Sequence, residues 1–203
     1  MISLRCVVPL APLLWLAACS SPAIPEVTYF RLPAPAAVAR MATPLSSLPI
    51  EVDTFRADGV YAEQAVLYAT TPDAGALRAY HYQMWSDPPA RGLQERLTDR
   101  LRDAGVAPLV TDRLPSSVQA LRIQGRILHY ERVQNAAKVS ALVEFEMRIE
   151  QDSGEPLLER RYRAEAVATG PDMAAMARAF GTAVDTTFST FVADLVAMQE
   201  GKS

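Results

Sequence analysis

The sequence predicts an α+β fold, a two-layer sandwich in which two helices pack on one face of a mainly antiparallel or mixed sheet. Three observations point there. Between residues 119 and 168, three long segments alternate apolar with charged side chains, the period of a strand with one buried and one wet face. Residues 88–104 and 171–199 carry apolar side chains at helical spacing. The charged faces of the strands cannot be buried, so both helices must share the apolar face. Composition agrees: 50% hydrophobic and 21% charged residues suffice for a core and exclude wholesale disorder, and 203 residues fit one or at most two domains. A net charge of -3 provides no basic field for nucleic acid.

The elements follow in order. Residues 27–32 (VTYFRL) read as a short strand, and residues 33–49 as a Pro/Ala/Ser loop. Ile50 and Val52 alternate in a second strand. Residues 65–70 and 76–85 form two more strands around the turn-rich segment 71–75, TPDAG. Ser86 or Asp87 can cap a helix whose first turn tolerates Pro88 and Pro89. Leu93, Leu97, Leu101 and Ala104 make its apolar stripe and Gly105 its stop, while Arg91, Glu95, Arg96, Asp99, Arg102 and Asp103 are expected in water. A short strand at 108–111 precedes the three long ones. In the first of these, Leu121, Ile123, Gly125 and Ile127 share a face, and the switch to Leu128 and Tyr130 predicts a bulge. In the second, Val139, Ala141, Val143, Phe145, Met147 and Ile149 point inward. The third returns with Leu158, Tyr162, Ala164, Ala166 and Ala168 on the apolar side. The last helix keeps its apolar period from Met173 to Met198, with Asp172 at its start and Gly201 past its end, and reads as the lid of the core. The outer face, with Arg122, Arg126, Glu144, Glu146, Arg148, Arg161 and Arg163, is either a solvated lattice of charge pairs or a docking surface for another protein.

Residues 1–18 are not part of this fold. A single basic residue, Arg5, precedes an apolar run interrupted by Pro9 and Pro12. The run is too short for a permanent span of a roughly 30 Å hydrocarbon core and fits a signal that is removed. Leu16-Ala17-Ala18-Cys19 resembles the bacterial lipobox, in which the cysteine thiol receives a diacylglycerol and the cysteine becomes the first residue. Cleavage there discards Cys6 and alkylates Cys19, leaving no free thiol and no disulfide. Residues 20–26 are a short tether, and residues 27–199 a single domain. By resemblance to lipoprotein sorting, Ser20 rather than Asp favours export to the outer membrane, where the domain would face the periplasm.

Enzyme chemistry finds little support. His81 and His129 stand in strands without a metal or triad motif, and two Cys with two His are too few for a structural zinc site. No GxSxG, HExxH, P-loop or Rossmann glycine pattern occurs, and no cofactor is implied. The densest feature is the aromatic run 80–85, YHYQMW. Alternation places Tyr80, Tyr82 and Met84 on one side and His81, Gln83 and Trp85 on the other. Either set packs under a helix, or Tyr80, Tyr82 and Trp85 form a patch that binds a partner or contacts lipid, a use suited to rings with a polar handle.

Taken in order, these pieces resemble the ABC-type transport auxiliary lipoprotein family, which includes the paraquat-inducible protein C lipoproteins. The resemblance rests on the VTYFRLP segment at 27–33 soon after Cys19, the Tyr80-x-x-Gln83-x-Trp85 segment leading into Pro88 and a leucine-rich helix, the strand Leu121-Arg122-Ile123 followed by Tyr130-Glu131, and the long terminal helix. It covers essentially residues 19–199. Phe30 replaces the more usual second Tyr, and His81 and Met84 interrupt the aromatic segment. The resemblance implies a non-catalytic subunit that partners an MCE-domain protein and its ABC transporter complex, is held in the outer membrane by acyl chains on Cys19, and moves lipid or other apolar molecules between membranes. A homo-oligomer is left open. An assembly factor for an outer-membrane barrel or for lipopolysaccharide transport is the alternative reading, and a lipid carrier or hydrolase a third.

Overall fold

In a computed structural model, residues 25–71, 75–134 and 138–201 are described. Cys19, the leader before it and residues 72–74 of the expected turn lie outside these segments. In chain order the elements are β1 (Thr28–Phe30), β2 (Ile50–Val52), a 3-10 turn (Gly59–Ala62), β3 (Ala65–Ala69), β4 (Arg78–Trp85), α1 (Pro89–Ala104), β5 (Val110–Thr111), β6 (Leu121–Gln134), β7 (Val139–Gln151), β8 (Pro156–Val167) and α2 (Met173–Glu200). The strand and helix order is the expected one. The 3-10 turn was not legible in the sequence.

All eight strands join one mixed sheet built around β6. One edge of β6 pairs along its whole length with β7, which in turn pairs with β8, all antiparallel. The other edge is divided. Its beginning, Leu121 to Ile123, takes β2 in parallel, and β5 follows β2. Its end, Arg132 and Val133, takes β3 in parallel, then β4 antiparallel and β1 parallel to β4. Between the two halves, Arg56 bridges to Arg126. The register shifts between Ile127 and His129, so the bulge lies where the apolar pattern changes phase.

Both helices contribute to one core with the inward residues of the sheet, so the sandwich has two layers. Its centre is aromatic: Phe55 meets Phe145 edge-on at 5.7 Å, Phe145 meets Phe188 at 5.8 Å, and Tyr130 meets Phe180 at 4.7 Å. Such pairs add about 0.5–1.5 kcal/mol each beyond the area they bury. Asp172 caps α2 as expected, accepting from the Ala175 N–H at 2.6 Å. The start of α1 differs from expectation. Ser86 Oγ donates to the Asp87 carboxylate instead of capping, and the helix opens with Pro88 as its cap residue and Pro89 at its first position.

The segment between β1 and β2 crosses the helical layer as a belt. Pro33 lies on Gly181 of α2, where an added Cβ would come within 2.8 Å of the proline ring. Arg96 of α1 donates from Nη1 to the Pro33 carbonyl at 2.7 Å and pairs with Asp185 of α2 at 2.8 Å. Asp185 also accepts from the Ala36 N–H at 3.1 Å. Further on, the Met41 and Leu45 N–H groups bond to the Ala104 and Val106 carbonyls. Arg96, expected in water, is therefore buried. Helix α1 is covered on two sides, by the sheet and by the seam where the belt and α2 meet it.

Candidate functional site

The aromatic candidates lie on β4, and β4 is interrupted. Ala65 pairs with Met84 and Leu67 with Ala79, so one residue of β3, Val66, faces four of β4, residues 80–83, and the alternation restarts within the run. Tyr80 consequently packs on the core side, stacked on Tyr68 at 4.7 Å, and its hydroxyl accepts from Arg132 Nη1 at 2.9 Å. Met84 faces the other way and lines a surface hollow. Trp85 is 4% exposed, wedged between Tyr130 at 5.6 Å and Phe180 at 5.1 Å. Tyr82 is 41% exposed, with His81 beside it at 6.3 Å. Of the three, only Tyr82 presents a solvent-facing ring. The break that separates them lies in strand pairing, which a periodicity reading of one segment does not contain.

The charged part of the helix-free face is internally matched. Glu144 and Glu146 lie directly opposite Arg163 and Arg161 in the β7–β8 register and pair with them at 3.0 and 3.1 Å. Arg122 reaches Glu51, Arg126 reaches Asp58, and Arg148 reaches Glu150. Pairs this exposed contribute about 0–1 kcal/mol each. Ser140, expected outward in water, is buried and donates to Glu165 at 2.6 Å. That bond and the Lys138 ammonium hold the Glu165 carboxyl below its ordinary value. Asp53 goes the other way: burial, then the neighbouring Glu51 carboxylate, push it up.

Glu131, named in the sequence only as part of the Tyr130-Glu131 segment, is a buried carboxylate, and nothing in its local pattern marks that burial. It is 2% exposed and fully engaged. It accepts from the Tyr61 hydroxyl at 3.1 Å and the Tyr130 N–H at 2.6 Å, and lies 2.6 Å from His129 Nδ1. Burial and this carboxylate push the Tyr61 phenol up. The cluster fastens the 3-10 turn to β6. Among the described residues, no three His, Cys, Asp or Glu side chains converge as a metal site, and no helix is long and apolar enough to cross a membrane.

Beside the matched charges, the same face becomes apolar at the β1 edge. A hollow of about 480 Å³ is lined by Tyr29 of β1, Val60 and Ala62 of the 3-10 turn, Leu67 of β3, Met84 of β4 and Pro88. Tyr29 is 62% and Val60 49% exposed.

The sequence profile of the ABC-type transport auxiliary lipoprotein component family matches residues 30–191. The chain belongs to this family. An auxiliary transport component is what the matched pattern describes, and its span takes in α1, the first two thirds of α2, the belt and nearly the whole sheet. This auxiliary lipoprotein matches no curated protein in sequence. Its fold is shared with solved structures. The DUF330-family protein XCC0632 from Xanthomonas campestris is 18% identical with a TM-score of 0.72, over 87% of this chain and 100% of that one. An uncharacterised protein is 12% identical with a TM-score of 0.67, over 84% and 99%. The hypothetical protein CT253 from Chlamydia trachomatis is 8% identical with a TM-score of 0.51, over 76% and 98%. At these identities the likeness establishes the fold alone.

Proposed function

We propose that this auxiliary lipoprotein is a non-catalytic subunit of an MCE-type ABC transport system, anchored in the outer membrane and facing the periplasm, that helps move lipids or other apolar molecules between the two membranes. The observation that carries the reading is the family match at residues 30–191, preceded at short distance by the lipobox-like Leu16-Ala17-Ala18-Cys19. Acyl chains on Cys19 hold the molecule to its bilayer, each buried methylene adding about 0.8 kcal/mol. Ser20 lets it travel to the outer membrane. The driving energy comes from the ATPase of the transporter, on the far side of the inner membrane. The contribution of this chain is a fixed position and a surface that grips the partner.

Purification of the tagged lipoprotein from detergent-solubilised envelopes tests the reading. An MCE-domain protein in the eluate is the expected result. A barrel or a lipopolysaccharide-transport component in its place would establish the assembly-factor alternative, and ester turnover intrinsic to the purified protein would end the non-catalytic claim. Of the candidate contacts Tyr80, Tyr82 and Trp85, Tyr80 and Trp85 pack against the core, and Tyr82 alone of the three is exposed. Anchoring has its own check: Cys19→Ala is expected to take up no palmitate analogue and to leave the outer-membrane fraction. Unchanged fractionation and labelling of that variant would contradict the lipobox reading.

A further inference from the structure

Large apolar side chains are not spread evenly over the surface. Among the described residues seven are exposed, and four of them belong to one neighbourhood: Val27, Tyr29, Val60 and Tyr82. Tyr29 and Val60 line the same hollow. Val27 and Tyr82 flank the Thr28–Gln83 pair of the β1–β4 ladder, immediately beside it. The neighbourhood contrasts with the rest of the helix-free face, where arginines and carboxylates neutralise one another. The hollow itself is lined by one carboxylate, Glu63, and one amide, Gln64, against the aliphatic and thioether carbon of Leu67 and Met84; Glu26 and Asp58 stand exposed next to Val27 and near Val60. Strand β1, which carries the most exposed of these rings, is also an edge strand, paired only with β4 among the described residues.

We propose that this patch lies on the lipid surface that holds the acyl chains, so that the domain docks edge-down on its own membrane with β1 against the headgroups. The proposal rests on the acylation of Cys19. Seven residues separate Cys19 from Val27, and a chain of that length spans about 23 Å when fully extended. An apolar patch tied this closely to a bilayer has the bilayer as its nearest apolar partner at all times. The side-chain chemistry suits the boundary: tyrosine rings place an apolar body toward acyl chains and a hydroxyl among headgroups, and valines extend the apolar contact. Docked this way, the molecule turns β8 and the charge lattice of β6 to β8 away from the membrane, toward the periplasm and any protein partner. Val60 gives the patch a second point of contact beyond β1, and two points restrict the tilt of the sheet more than a single anchor does.

Acylated Cys19 leaves no free thiol, so cysteines introduced singly as Tyr29→Cys, Val60→Cys and Val167→Cys can each carry a nitroxide. Val167 is exposed as well but ends β8, on the opposite side of β6 from β1. The full-length mature lipoprotein is reconstituted into phosphatidylethanolamine and phosphatidylglycerol vesicles and floated. Collision with oxygen, which concentrates in lipid, is then compared with collision with a water-soluble nickel chelate. Labels at positions 29 and 60 are expected to favour oxygen severalfold over the label at 167. Water-like ratios at both positions overturn the proposal while the floated protein upholds Cys19 acylation. Shielding that emerges only when a partner protein is added assigns the patch to that partner and equally overturns it. Failure to float brings down the anchoring reading, and the lipid contact with it.

Discussion

Gly125 stands opposite Met147 in the β6–β7 ladder, and a Cβ there would run into the Phe55 ring. Gly125→Ala is therefore expected to lower stability by about 1–3 kcal/mol, the cost of overpacking a filled core, read from the midpoint of urea unfolding. Gly92, on α1, meets nothing within 4 Å of its would-be Cβ. Gly92→Ala should raise stability by up to about 1 kcal/mol through helix propensity alone, and the opposite signs separate space from backbone entropy. Asp53 makes an electrostatic prediction at the same scale. Burial and Glu51 raise its folded-state pKa above the ordinary 3.8, so the folded protein favours the neutral acid. Its contribution is at its best below that value and is lost as pH rises through the raised pKa, leaving a penalty at neutral pH. Asp53→Asn is expected to raise the melting temperature at pH 7 and to give no gain at pH 3. Glu165 has the reverse sign: its lowered pKa stabilises at neutral pH and that contribution fades on acidification.

At the scale of an element, β6 carries a single extra residue at its bulge. Before it, Ile123, Gly125 and Ile127 point to the core, and after it Tyr130 does. Leu128 has no partner in the β6–β7 register, where Phe145 and Glu144 face Ile127 and His129 in succession. Deleting Leu128 would therefore close the ladder into regular alternation and keep the facing of every later residue, with Tyr130 still on Phe180. A melt that stays cooperative by circular dichroism is the expected outcome, and loss of cooperativity would show that the strand needs its bulge. This bulge was legible because the apolar period of β6 changes phase within the segment itself. The break in β4 was not, because Tyr80, Tyr82 and Met84 keep a regular two-residue spacing across it. It exists only in relation to β3.

For the whole molecule, the tie between the belt and the two helices is the Arg96–Asp185 pair. It joins α1 to α2, holds the Pro33 carbonyl and orients the carboxylate that receives the Ala36 N–H. Asp185→Leu strands the buried Arg96 guanidinium and should cost about 3–5 kcal/mol, whereas Arg96→Met should cost less, because Arg100 lies within reach of the part-buried carboxylate. Replacing both together should cost less than the sum of the two, and urea titrations of the four proteins in a double-mutant cycle measure the coupling. Full additivity would mean that the belt is held by Pro33 on Gly181 and by packing, with no help from the ion pair. Arg100, with its guanidinium 3.9 Å from the same carboxylate, is the residue placed to take over when Arg96 is lost.

What the sequence determined by itself was whatever is encoded within one segment. Residue spacing set the three long strands, the two helices, the cap at Asp172 and the phase change at Leu128, because periodicity and capping are properties of neighbours along the chain. The order of the elements and their one-sided charge also implied the two layers. Tertiary structure alone decided the rest: that β2 and β3 divide one edge of β6, that Arg96 and Glu131 are buried, and that Val27, Tyr29, Val60 and Tyr82 come together beside β1. These depend on which distant segments close on one another. That choice is made by the packing free energy of the whole core, and no window of sequence contains it.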